Sequence, residues 1–64
     1  MAKVETSRTK IVARLQAEGW VSEGGAKHEK FANVRAPGVK IMVPRHNPIT
    51  MGVARSIAKT AKWT

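Results

Sequence analysis

Trp20-Val21-Ser22-Glu23-Gly24-Gly25-Ala26-Lys27-His28-Glu29-Lys30-Phe31 is the stretch that decides the fold. Trp20 to Glu23 reads as a first strand. Gly24-Gly25 reads as a tight turn, because two glycines adopt positive φ at no steric cost. Lys27 to Val34 then reads as a second strand running back beside the first. Side chains alternate across a strand, so Glu29 and Phe31 share one face while His28 and Lys30 share the other. Phe31 is the only phenylalanine of the chain and belongs inside. That assignment sends His28 and Lys30 toward solvent.

Working outward, Ala36-Pro37-Gly38 is a second turn, and Val39 to Val43 a third strand ended by Pro44. Val39, Ile41 and Val43 alternate with Lys40 and Met42, the pattern of a sheet with one buried side. Upstream, residues 1–6 read as a frayed lead-in. A helix from Arg8 to Glu18 follows, capped by Thr6 or Ser7, striped by Ile11, Val12 and Leu15, and stopped by Gly19. Downstream, Arg45-His46-Asn47-Pro48 forms a loop and Thr50 caps a last helix. Val53, Ile57 and Ala61 make its apolar stripe, with Ala54 and Ala58 alongside, and Arg55, Lys59 and Lys62 cover its outer surface. The expected architecture is an α+β domain in the order α-β-β-β-α. Its three strands form an antiparallel meander, and both helices bury their stripes on the same sheet face. This is the layout of double-stranded-RNA-binding domains, and it leaves the opposite sheet face open.

Sixty-four residues predict one domain spanning 1–64. A chain this short buries only about 60% of its unfolded surface, so its chemistry belongs on a surface or in a shallow groove. Twelve Lys and Arg stand against four Glu, a formal net charge of +8. Such an excess attracts polyanions. Nucleic acid comes first, an anionic membrane second, and an acidic protein third without excluding the first. The chain has no cysteine, which removes disulfides and thiolate metal sites. Two histidines and four Glu show no metal-ligand spacing, so neither metal nor cofactor is expected. No apolar run reaches the length of a membrane span. Met1-Ala2-Lys3-Val4-Glu5-Thr6-Ser7 lacks the apolar core of a signal peptide, and a cytoplasmic protein is expected.

Four segments together carry a family resemblance. They are Gly19-Trp20-Val21 after the capped helix, Gly25-Ala26-Lys27-His28-Glu29-Lys30-Phe31, Val43-Pro44-Arg45-His46, and Gly52-Val53-Ala54-Arg55-Ser56-Ile57. In order and spacing the chain resembles the HicA toxins over nearly its whole length, from about Thr6 to Trp63. The resemblance implies the toxin half of a type II toxin–antitoxin pair, an mRNA endoribonuclease that acts without the ribosome and is blocked by a HicB-type antitoxin. The family's functional histidine lies on the second strand, after a glycine turn and shortly before an aromatic residue. His28 matches that position. The glycine that commonly stands two residues before the histidine is Ala26 here, while Gly24 and Gly25 supply the turn.

The chemistry suits the residue. RNA carries its own nucleophile, the 2′-hydroxyl, and cleavage needs a base to remove its proton and an acid to protonate the leaving oxygen. An imidazole, with an ordinary pKa of about 6.5, serves either role near neutral pH without a metal. Surrounding cations stabilise a phosphorane that gains negative charge. Lys27, Lys30, Lys40 and Arg45 are the phosphate-holding candidates because they lie near His28 in the predicted sheet. His46 is a candidate general acid, with a structural or RNA-contact role as its rival. Trp20 and Trp63 are expected to pack rather than to stack on bases. The main alternative is a non-catalytic RNA-binding module of the same fold.

Overall fold

The computed structural model describes residues 4–63. Its elements are α1 (Arg8–Ala17), β1 (Val21–Gly24), β2 (His28–Ala32), β3 (Lys40–Pro44) and α2 (Met51–Thr60), in the order α-β-β-β-α of an α+β fold. The strands form one antiparallel sheet in the order β1-β2-β3.

α1 starts where the sequence provides a cap. Ser7 is extended, and its hydroxyl accepts from the Lys10 amide at 3.4 Å, which satisfies one of the free donors of the first turn. The helix ends one residue short of the expected Glu18, and Gly19 follows at φ +95°. A side chain on Asn33 finishes this end, its amide donating to the Glu18 carbonyl at 3.1 Å. Residues 4–6 are tied down rather than frayed. Val4 packs against the core, and the Thr6 carbonyl accepts from the Ile49 amide at 2.8 Å. The lead-in expected for residues 1–3 lies outside the described residues.

All three strands have boundaries that differ from the sequence reading. Trp20 precedes β1 and sits in the core at 6% exposure, while Gly24 joins the strand. The pairing of β1 with β2 is interrupted between Ser22 and Gly24, an irregularity of the β-bulge kind centred on Glu23. β2 is shorter than Lys27–Val34 because Asn33 starts a turn, its side-chain carbonyl accepting from the Arg35 amide at 3.0 Å. In β3, Val39 falls outside the strand and is 38% exposed, whereas Pro44 belongs to it. A proline is tolerated there because β3 is an edge strand.

The inward faces agree with the parity argument. Phe31, Ile41 and Val43 join Ile11 and Leu15 of α1 and Ala54 and Ile57 of α2 in one buried cluster, with Trp20 and Ile49. Both helices therefore pack on the sheet face that holds Phe31. In α2 the buried stripe is Ala54, Ile57 and Ala58, with Val53 and Ala61 only partly covered. Thr50 occupies the position before α2 without a side-chain cap bond. Full burial of residues such as Phe31, Ile11 and Leu15 is worth about 1.5–3 kcal/mol each, the main stabilising term available to so small a domain.

Candidate functional site

His28 opens β2, where its backbone pairs with Pro44 of β3. It is exposed, as are Lys30 and Met42, while Phe31, on the opposite face of the same strand, is fully buried. These outward side chains border a depression of about 470 Å³ lined by Glu23, Gly24, Gly25, His28, Lys30 and Met42. Its size falls in the range of small-ligand sites, roughly 300–1,000 Å³.

The turn before His28 is held from several sides. Gly24 and Gly25 both have positive φ, +83° and +125°. Gly25 is sterically obligatory, since a Cβ there would lie 2.1 Å from the His28 carbonyl oxygen. The Arg45 side chain donates through Nε to the Gly25 carbonyl at 2.7 Å, and the Arg45 amide donates to the Lys27 carbonyl at 3.4 Å.

The four lysines and arginines expected near His28 behave differently from one another. Lys30 lines the depression, and Lys27 is exposed in the adjoining loop; neither has a carboxylate partner among the described residues. Lys40 is also on the outer face, but its ammonium is held by both Glu23 oxygens at 3.0 and 3.1 Å. Arg45 is engaged on Gly25 and lies 3.9 Å from Glu29. His46 does not line the depression; its Nδ1 lies 3.2 Å from the Pro48 carbonyl oxygen within its own loop.

Beneath the same end of the sheet is a polar cluster that sequence reasoning did not assemble. Glu29 points inward beside Phe31 and is only 16% exposed. Arg8 at the start of α1 reaches it at 2.5 Å and also donates through Nε to the Pro44 carbonyl at 2.7 Å. The Ser22 hydroxyl donates to the other Glu29 oxygen. The Ser22 hydrogen bond, then the Arg8 hydrogen bond and the charges of Arg45 and Arg8, hold the Glu29 carboxyl below its ordinary pKa against the opposing effect of burial. The signal was present in the alternation itself. An acid sharing the inward face with Phe31 demands a cationic partner.

The remaining aromatic and acidic groups are structural. Trp63 donates its indole N–H to Glu18 at 2.6 Å, and Arg14 lies 4.4 Å from the Trp63 ring centre. Glu5 accepts from the Ser7 amide at 3.0 Å. With Glu18, Glu23 and Glu29 also bonded, every glutamate has an internal partner. Among the described residues no three His, Asp or Glu side chains gather to hold a metal ion, and no helix is long and apolar enough to cross a membrane. No family model matches the chain, and no curated protein or solved structure matches it at a significant level.

Proposed function

We propose that this chain is an endoribonuclease of the HicA type, the toxin half of a toxin–antitoxin pair, cutting mRNA in the cytoplasm with His28 and without a metal or cofactor. The observation that carries the reading is the placement of His28. It stands exposed at the start of β2 beside Lys30, over a depression, while Phe31 of the same strand anchors the core. The α-β-β-β-α order fits the double-stranded-RNA-binding layout expected from the strand and helix pattern, with the open sheet face turned to RNA.

In the proposed reaction the imidazole takes the proton of a ribose 2′-hydroxyl as its oxygen attacks the adjacent phosphorus. The bond from the 2′ oxygen to phosphorus forms and the bond from phosphorus to the 5′ oxygen breaks. The departing oxygen takes a proton from solvent, leaving a 2′,3′-cyclic phosphate and a 5′-hydroxyl. Lys30, at the rim of the depression, offsets the charge gathering on the phosphorane, and Lys27 holds a flanking phosphate. A HicB-type antitoxin, with an acidic surface to match the net charge of +8, covers this face and stops cleavage.

One observation favours the alternative, a non-catalytic RNA-binding module. No hydrogen bond to the His28 ring is present among the described residues, so no side chain holds the imidazole directly. The two readings separate in one experiment. Purified protein is incubated with a defined RNA in EDTA, beside His28→Ala and a substrate with a 2′-deoxy sugar at the cut site. Cleavage confined to the unaltered protein and the ribose substrate supports the nuclease. RNA that is bound but left intact supports the binding module, and cutting of the deoxy substrate removes the mechanism.

A further inference from the structure

We infer that Arg45 is a positioning residue for His28, bracing the turn that delivers the imidazole rather than holding substrate phosphate. The inference rests on the nuclease reading above. The segment Gly25-Ala26-Lys27 lies between β1 and β2 and belongs to neither strand. One residue reaches both ends of it. The Arg45 guanidinium takes the Gly25 carbonyl at 2.7 Å, and the Arg45 backbone takes the Lys27 carbonyl at 3.4 Å.

Arg45 is itself fixed on both sides of this contact. It follows Pro44, whose backbone is the cross-strand partner of His28. Its guanidinium faces Glu29, the residue after His28, and Glu29 is clamped by Ser22 and Arg8. Arg8 returns to the Pro44 carbonyl at 2.7 Å. The ring of contacts thus runs from Pro44 through Arg45 to Gly25 and Lys27, and from Arg45 through Glu29 and Arg8 back to Pro44. His28 sits in the chain between Lys27 and Glu29, two of the residues so held.

The turn transmits this restraint directly. Gly25 packs so closely on the His28 carbonyl that no side chain fits between them. Releasing the Gly25 carbonyl therefore frees the backbone that sets the direction of His28. A misplacement of about 1 Å in a reacting group can cost roughly a hundredfold in rate. A lysine at position 45 keeps the charge but lacks the Nε–H of the guanidinium fork.

The test compares Arg45→Lys and Arg45→Ala with the unaltered protein in three measurements. These are single-turnover cleavage of a short RNA, binding of its 2′-deoxy form across a salt series, and 15N relaxation of the amides of residues 25–28. Positioning predicts a cleavage rate at saturation at least about tenfold lower in both variants. Binding and its salt slope stay within error, and motion rises at residues 25–28. The phosphate-contact role predicts binding that weakens with a salt slope shallower by about one in Arg45→Ala, restored in Arg45→Lys, with the saturated rate kept; that result overturns the inference. If the unaltered protein cuts no RNA, the nuclease reading fails separately, and relaxation of residues 25–28 decides: unchanged motion in Arg45→Lys overturns the bracing role. Arg45→Lys preserves charge and stem, so it carries the test should Arg45→Ala fail to fold.

Discussion

Glu23 and Lys40 join across the outer face of the sheet, from one edge strand to the other, at 3.0 and 3.1 Å. They reach across β2, where Ala32 is the cross-strand partner of Lys40 and Glu23 stands in the bulge of β1. Both ends of the pair are 45% exposed, so it adds little to stability, on the order of 0–1 kcal/mol. Its weight falls on the site, because Glu23 places negative charge at the rim of the His28 depression and occupies Lys40. Glu23→Gln removes that charge and frees the ammonium. RNA affinity at low salt is expected to rise several-fold with little change in melting temperature, as read by fluorescence anisotropy with a labelled RNA. An unchanged affinity would mean that RNA does not approach this face.

The two glycines of the turn separate two effects of a methyl group. At Gly24 an added Cβ meets nothing within 4 Å, and the cost is only that of positive φ, about 1 kcal/mol. At Gly25 the same atom strikes the His28 carbonyl oxygen. Gly25→Ala should therefore lose more stability than Gly24→Ala in urea denaturation, and should lower the cleavage rate of the folded fraction far more. Equal effects of the two substitutions would contradict the close approach.

Protonation of Glu29 supplies an acid limit to stability. Its folded pKa is lowered, so the native state binds the proton less readily than the unfolded chain does. The associated stabilisation is complete above the ordinary carboxylate value of about 4.3. It fades as pH falls from there through the lowered folded value. Melting curves between neutral and strongly acid pH should show this loss in the unaltered protein and a flatter acid limb in Glu29→Gln. A parallel dependence in both would assign the acid sensitivity to other groups.

Side-chain removal on opposite faces of β2 should separate activity from stability. His28→Ala touches an exposed residue and is expected to change stability by less than about 0.5 kcal/mol while abolishing cleavage. Phe31→Ala opens a cavity in the core cluster and costs about 3–5 kcal/mol. Native domains retain roughly 0.05–0.15 kcal/mol per residue, so the Phe31 variant should be largely unfolded by circular dichroism. A folded Phe31→Ala protein would show that the core is not organised around this ring.

Alternation carried most of what the sequence made legible. Phe31 had to be inside, and that one placement sent His28 and Lys30 outward. Ser7 and Gly19 bounded α1 by the local rules of capping and left-handed termination. The shortfalls arose where a long-range pairing overrides a local pattern. The bulge at Glu23 breaks the even count along β1, and Val39 continued the apolar alternation of β3 but found no strand partner. Pro44 read as a stop because proline lacks a donor, yet an outer edge makes no use of that donor. The Arg8–Glu29 contact joins residues far apart in the chain, and no spacing rule announces it. The strand pattern put Lys40 and Arg45 beside His28, yet Lys40 pairs with Ala32 at the far end of β2 from His28 and does not line its depression. Nor did the pattern show that the charged groups of Lys40 and Arg45 already had internal partners.

The clasp between the last residues and α1 has a practical consequence for spectroscopy. The chain has two tryptophans and no tyrosine, so its ultraviolet emission comes from two indoles in contrasting surroundings. Trp20 lies in the apolar interior, whereas Trp63 is held between a guanidinium and a carboxylate. Neither borders the hollow at His28. The protein thus contains two built-in optical gauges, one for the loss of its interior and one for the release of Trp63 from α1, and both leave the face around His28 unlabelled.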